Sequence, residues 1–230
     1  MRIDFWADVI CPWCYLGHAR LRTALDRFPH RDAVRVVHRS FELDPGRAKG
    51  DVNPVPSFLT ARYGPDAAAM DERVARIAHG EGLGYRTDRQ VGSTLDAHRL
   101  LHWAGEQHRQ EQLLQTVMRA NFAQARDIFT LEGLLAIVGE AGLDAAEATA
   151  ALADPQRYLA LVREDEAEAV RRGARGVPYV VIDDTFVVEG GQSAEAFLRA
   201  LEAAWAESSQ AMATPAAEGM CTPEGTCSVP

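Results

Sequence analysis

No apolar run of 18 residues occurs in the 230-residue chain, so no segment is expected to cross a membrane as a helix. Positive charge is scarce. Against 33 Asp and Glu stand 24 Lys and Arg, and the formal net charge of -9 argues against the basic surface that nonspecific nucleic-acid binding needs. Cysteine is scarcer still: four residues in two close pairs, Cys11 with Cys14 and Cys221 with Cys227. Only Met1-Arg2 precedes the first apolar-alternating segment, which leaves no room for a secretory leader. A cytoplasmic location is therefore expected, where cysteine pairs are more often catalytic or metal-binding than structural. No internal repeat is detectable. What remains is ordinary for a soluble globular protein: 47% hydrophobic and 25% charged residues in 25.2 kDa, enough for one large domain or two small ones.

The most informative stretch runs from Ile3 to Cys14. Ile3, Phe5, Ala7 and Val9 alternate with Asp4, Trp6 and Asp8, the period of a β-strand. From Pro12 onward Leu21, Ala24, Leu25 and Phe28 recur at helical spacing. Proline suits the first helical turn, where its missing N–H would have had no partner. Cys11 is thus placed where free backbone N–H groups and the positive end of the helix dipole converge, a setting that favours the reactive thiolate. Cys14 follows one turn later, within reach of a mixed disulfide formed at Cys11. A C-x-x-C pair also serves as half a zinc site, but the other cysteines lie over 200 residues away, and a redox dithiol is the preferred reading.

Cys11-Pro12-Trp13-Cys14 between strand and helix, with a distant Gly176-Val177-Pro178, resembles the DsbA-like branch of the thioredoxin superfamily, specifically the FrnE-like proteins. The similarity extends through Ser40-Phe41-Glu42-Leu43-Asp44-Pro45, Thr94-Leu95-Asp96-Ala97-His98-Arg99-Leu100 and Gly190-Gly191-Gln192, to about residue 207. It implies an α/β, thioredoxin-like fold with an all-helical insertion between the second and third strands. It also implies a cis Val177–Pro178 bond facing the dithiol, with Val177 presenting backbone groups to an extended substrate; by itself, an X–Pro bond would be read as trans. Pro12 and Trp13 would tune potential and access, Trp13 either covering the sulfurs or serving as a substrate platform. His98, inside a family-like run, would line the cleft.

Along the chain, residues 1–50 read as the first half of the thioredoxin-like domain, with Val34–Leu43 as a second strand parallel to the first. Residues 51–154 read as the helical insertion, uninterrupted by strands, with Met70, Val74, Ile77 and Ala78 on one apolar face, Thr130 as a cap and Asp144 with Glu147 as a capping-box-like start. Residues 155–207 form the second half. A helix over about 156–173 carries Tyr158, Leu161 and Val162 on its apolar face; two strands follow, joined by a two-residue Asp183-Asp184 hairpin, and then a last helix. Residues 208–230, small, polar and Pro-rich, read as a flexible tail.

The function these features imply is thiol–disulfide exchange or isomerisation on a disulfide- or thiol-bearing protein or small molecule. Cys11 is the nucleophile, Cys14 the resolving thiol, and Val177 and Pro178 shape the docking strip. Cys221 and Cys227, spaced C-x5-C, form a candidate auxiliary redox pair; paired cysteines near the C-terminus also recur in the FrnE-like family. No metal and no organic cofactor is expected, with glutathione as a candidate co-substrate. His98, His102 and Glu106 have ligand spacing but are read as residues of an amphipathic helix, and Arg171, Arg172 and Arg175 as favourable charge at a helix C-terminus rather than an anion site. Two alternatives stand beside this reading. One is a glutathione-dependent isomerase or transferase of the kappa or hydroxychromene-carboxylate isomerase type, which typically has serine in place of Cys11. The other is a partner-binding module with an inactive dithiol.

Overall fold

The computed structural model describes residues 1–213. Its first strand, β1 (Arg2–Ala7), leads through Cys11 into α1 (Pro12–Arg27), and β2 (Arg35–Ser40) returns parallel to β1. After the helical segment, α8 (Leu159–Arg171), β5 (Tyr179–Ile182), β6 (Phe186–Glu189) and α9 (Ala194–Ala213) complete the unit. The sheet order is β2-β1-β5-β6, with β5 antiparallel to both neighbours. The thioredoxin-like architecture with its helical insertion is therefore present.

β1 is covered on both sides, although its alternation places Asp4 on the face opposite Ile3 and Phe5. Ile3 and Phe5 face a core that also holds Leu16, Leu21, Phe197 and Leu201 from α1 and α9. Trp6 on the opposite face packs with Tyr179, Val181 and Ala169, the last from α8. The indole N–H of Trp6 donates to the Asp165 carbonyl at 2.8 Å, and buried Asp4 is neutralised by Arg2 and Arg39. A buried polar group needs such partners, since an unpaired one costs about 1–3 kcal/mol.

The insertion comprises α2 (Val55–Tyr63), α3 (Ala67–Gly80), α4 (Leu95–Glu106), α5 (Gln110–Phe122), α6 (Leu131–Glu140) and α7 (Ala145–Ala153). Two caps form where residue type predicts them: Thr130 accepts from the Gly133 N–H, and Asp144 from Ala146 and Glu147. The segment is not wholly helical. β3 (Asn53–Pro54) pairs antiparallel with β4 (Gln90–Val91), a two-residue ladder too short to leave a period in the sequence. The core of the insertion is continuous with that of the sheet, because α4 packs on α8 and α1 on α3 and α5.

Four local expectations need correction. Met70 and Leu161 are exposed, because packing turns Ala67, Val74 and Ala78 of α3 and Val162 and Ala169 of α8 inward instead. The helix expected from about 156 begins at Leu159, behind a left-handed Tyr158. The hairpin takes three residues: Ile182 pairs with Phe186, Asp183 and Asp184 adopt positive φ, and Thr185 closes the turn. α9 continues to Ala213, so the boundary expected at 208 falls inside a helix. Cys221 and Cys227 lie outside the described residues.

Candidate active site

Cys11 is the N-cap residue of α1, with extended backbone (φ -78°, ψ 117°), and Pro12 opens the helix. The Cys11 carbonyl accepts from the N–H groups of Cys14 and Tyr15, while the Cys11 N–H donates to the Asp8 carbonyl at 3.1 Å. Neither cysteine is in a disulfide. Cys11 retains slight exposure, 5%, whereas Cys14 is fully covered.

The Val177–Pro178 peptide is cis and stands against the dithiol. Cys11 Sγ lies 3.6 Å from the Val177 carbonyl oxygen, toward which its S–H points. Two glycines permit this close packing. A Cβ on Gly17 would come within 3.1 Å of the Pro178 ring, and one on Gly191 within 2.9 Å of the Trp13 carbonyl. Trp13 itself is 41% exposed beside the sulfurs. A cleft of about 270 Å³ opens next to Pro12 and Ile10, walled by Leu43, Val55, Phe58 and Leu59. Asp44, Arg62, Asp71 and Arg89 add charge to its largely apolar wall.

The Cys14 thiol is held well above its ordinary value. Burial is the main cause; its hydrogen bond to Cys11 and negative charge at Cys11 act in the same direction. The Asp8 carboxylate also opposes ionisation, while a backbone hydrogen bond at Asp8 works the other way. Asp8, which sequence reasoning passed over, is fully buried at the foot of the dithiol. Its Oδ2 accepts from the Leu43 N–H at 2.7 Å and its Oδ1 from Ile10 at 3.4 Å. The available signal was an acidic residue three positions before Cys11 in an otherwise apolar stretch.

His98 was expected to line the cleft. It is 1% exposed and lies beneath it, with Nε2 3.4 Å from Asp8 Oδ1 and neither ring nitrogen in a hydrogen bond. Direct substrate contact is closed to it. His102 turns instead to Ser40 and Asp165, and Glu106 to the Tyr158 hydroxyl, so these three helix-mates converge on no common point. Arg171 and Arg172 are tied to Glu168, and Arg172 also to Asp184.

A four-stranded thioredoxin sheet, a C-x-x-C at the strand-to-helix junction and a cis-proline turn facing it define a thioredoxin-fold dithiol protein. The chain belongs to the DsbA-like thioredoxin domain family, whose model matches residues 2–202. It is 51% identical to a probable DsbA oxidoreductase from Streptomyces coelicolor, with a TM-score of 0.87 over 100% of this chain and 99% of that one. More distant structures share the fold. A 2-hydroxychromene-2-carboxylate isomerase is 18% identical, with a TM-score of 0.66 over 93% of this chain and 98% of its own. The cytosolic disulfide reductase DsbM from Pseudomonas aeruginosa, solved with GSH, is 19% identical, with a TM-score of 0.57 over 92% and 100%. No curated protein matches the chain.

Proposed function

We propose that the protein is a thiol–disulfide oxidoreductase working through Cys11 and Cys14. The observation that carries this reading is the asymmetry of the pair: one sulfur at a helix N-cap beside the Val177 carbonyl, the other buried and held protonated. In the reducing direction the Cys11 thiolate attacks a substrate disulfide. One S–S bond breaks, a Cys11–substrate bond forms, and a substrate thiolate leaves. Cys14 then gives up its proton and attacks Cys11 Sγ, releasing the second substrate thiol and leaving Cys11–Cys14 oxidised. Two electrons have passed to the substrate; the reverse sequence oxidises a dithiol.

The causes of the raised Cys14 pKa make the order self-timing. Charge at Cys11 and the hydrogen bond to it both oppose Cys14 ionisation, and both disappear when Cys11 enters the mixed disulfide. Ionisation of the second nucleophile is thereby eased when it is needed, while burial, the largest cause, remains. Trp13, Leu43 and Phe58 border the surface on which a substrate segment rests, with the Val177 backbone as its hydrogen-bonding edge. The isomerase alternative loses weight because a serine-type glutathione site has no use for a second buried thiol.

Insulin reduction by dithiothreitol tests the proposal. Wild type should accelerate it, Cys11→Ser should not, and Cys14→Ser should accumulate mixed disulfides at Cys11. A wild-type rate equal to the uncatalysed one sinks it. Equilibration of the Cys11–Cys14 pair against a glutathione buffer then sets the direction of flow. A reducing cytoplasm and glutathione as co-substrate are parts of the same proposal.

A further inference from the structure

Away from the dithiol, three metal-ligand side chains meet where β2, α1 and α5 come together. His18 lies on α1 one turn beyond Cys14, His38 in β2, and Glu111 in the first turn of α5. Both imidazoles are 5% exposed. His18 Nε2 is 3.1 Å from each Glu111 carboxylate oxygen, and His38 Nε2 contacts Oε2. The donor atoms all lie within 4.8 Å of one another. The edge of the cluster opens into a cleft of about 420 Å³ bordered by Leu21, Val36 and Gln115.

We infer that His18, His38 and Glu111 form a binding site for a late first-row divalent metal ion such as Zn²⁺, with its remaining coordination position facing the cleft. Two imidazole nitrogens and a carboxylate are an established three-ligand set for this ion. Donors at bond lengths of about 2.1 Å from a tetrahedral ion stand about 3.4 Å apart, so the 3.1 Å His18–Glu111 spacing needs a small opening and the shorter His38–Glu111 contact a larger one. In the metal-free cluster, protons between imidazole and carboxylate occupy the position the ion would take.

Burial works against ionising Glu111, yet hydrogen bonds and positive charge from His18 and His38 outweigh it and hold the carboxyl well below its usual range; an arriving ion displaces those protons. Burial in turn pushes His38 toward its neutral, ligating form, against the pull of Glu111. His38 Nδ1 has no hydrogen-bond partner, so it can take the proton that Nε2 gives up on ligation, but the move costs the Nε2 hydrogen bond to Glu111 and leaves a buried N–H unpaired. The same missing support is expected to weaken binding about 10–100-fold relative to a fully braced histidine site. Arg22 is the competing cation, 3.9 Å from Glu111, but its side chain is 53% exposed and free to swing outward. Gln115 also donates to Glu111. The ion would join the insertion to the sheet, since α5 belongs to one and α1 and β2 to the other.

Sequence reasoning expected no metal and singled out none of the three, which are 20 and 73 residues apart in the chain. The inference does not rest on the dithiol reading.

The test is a Co²⁺ titration of the reduced, metal-free full-length chain beside Glu111→Gln, a near-isosteric change at a partly exposed residue, with circular dichroism to check that both are folded. Wild type should take up one equivalent giving visible d–d bands without sulfur-to-cobalt charge transfer, displaced by Zn²⁺. Glu111→Gln should bind at least about tenfold more weakly, as loss of a ligand implies. Metal held by cysteines is common to both proteins and carries the charge-transfer band. Zn²⁺ at a hundredfold excess over the wild-type Kd should raise the wild-type Tm by about 5–10 °C and that of the variant by about half as much or less. Equal binding by the two proteins, or no d–d band in wild type at millimolar metal, overturns the inference. So does a wild-type Tm that is the same with and without Zn²⁺ while Glu111→Gln is lower in both conditions, since that marks a purely structural hydrogen-bond cluster.

Discussion

Folding should become less favourable in alkali because of Cys14. In the folded protein its buried thiol is held protonated above its ordinary value, whereas in the unfolded chain it ionises freely. Below the unfolded pKa both states carry the proton, and the burial is fully compatible with stability. As pH rises past about 8.5, the unfolded state alone loses a proton and is favoured, with a limiting slope of about 1.4 kcal/mol per pH unit. For a thiol that stays protonated when folded, the loss is RT ln(1 + 10^(pH − 8.5)), or about 1.4 kcal/mol at pH 9.5 and about 2 kcal/mol at pH 10. The measurement is urea unfolding between pH 7.5 and 10, comparing Cys11→Ser with Cys11→Ser/Cys14→Ala. Without Cys11, neither a disulfide nor a charge at that position intervenes, and burial, the main cause, remains. Buried tyrosines and the other cysteines contribute alike to both proteins and cancel. The protein that keeps Cys14 should lose about 2 kcal/mol more by pH 10. Parallel curves would refute the reasoning, because a thiol that titrates equally in both states gives no difference.

Three further outcomes are expected. Gly191→Ala forces a shift at the Trp13 carbonyl, so it should cost about 1–3 kcal/mol and slow insulin reduction, whereas Gly46→Ala, with nothing nearby, should do neither; equal Tm and turnover for both would contradict the close packing. Asp71→Ala strands the Arg89 guanidinium, whose side chain is only 3% exposed, and should destabilise by about 3–5 kcal/mol in urea unfolding. Asp71→Asn, which keeps a hydrogen-bond acceptor, should cost less; a loss below about 1 kcal/mol in the alanine variant would show the pair to be dispensable. If Cys221 and Cys227 serve Cys11 as a second redox pair, as we propose, ending the chain after Ala213 should slow recovery from oxidation while leaving α9 whole. Unchanged recovery, together with no trapped Cys11–Cys221 or Cys11–Cys227 adduct in Cys14→Ser, would remove the tail from the mechanism.

The strand-to-helix junction at Cys11, the order of strands and helices along the chain and the caps at Thr130 and Asp144 were legible in the sequence. Each rests on an interaction between residues close in the chain: a side-chain period, a proline at a first helical turn, a side-chain oxygen two or three residues from the N–H it accepts. Only the tertiary structure decided what lies behind those elements. β1 is buried on both faces because α8, more than 150 residues later, covers the side that carries Asp4 and Trp6. The same enclosure sets His98 against Asp8 beneath Cys14, and removes it from the cleft wall its sequence neighbourhood suggested. His18, His38 and Glu111 sit on two helices and a strand whose own periodicities are satisfied without reference to one another. Periodicity states which face of an element turns inward, but the residue met there is set by packing between segments distant in sequence, and that information exists only once the chain has closed on itself.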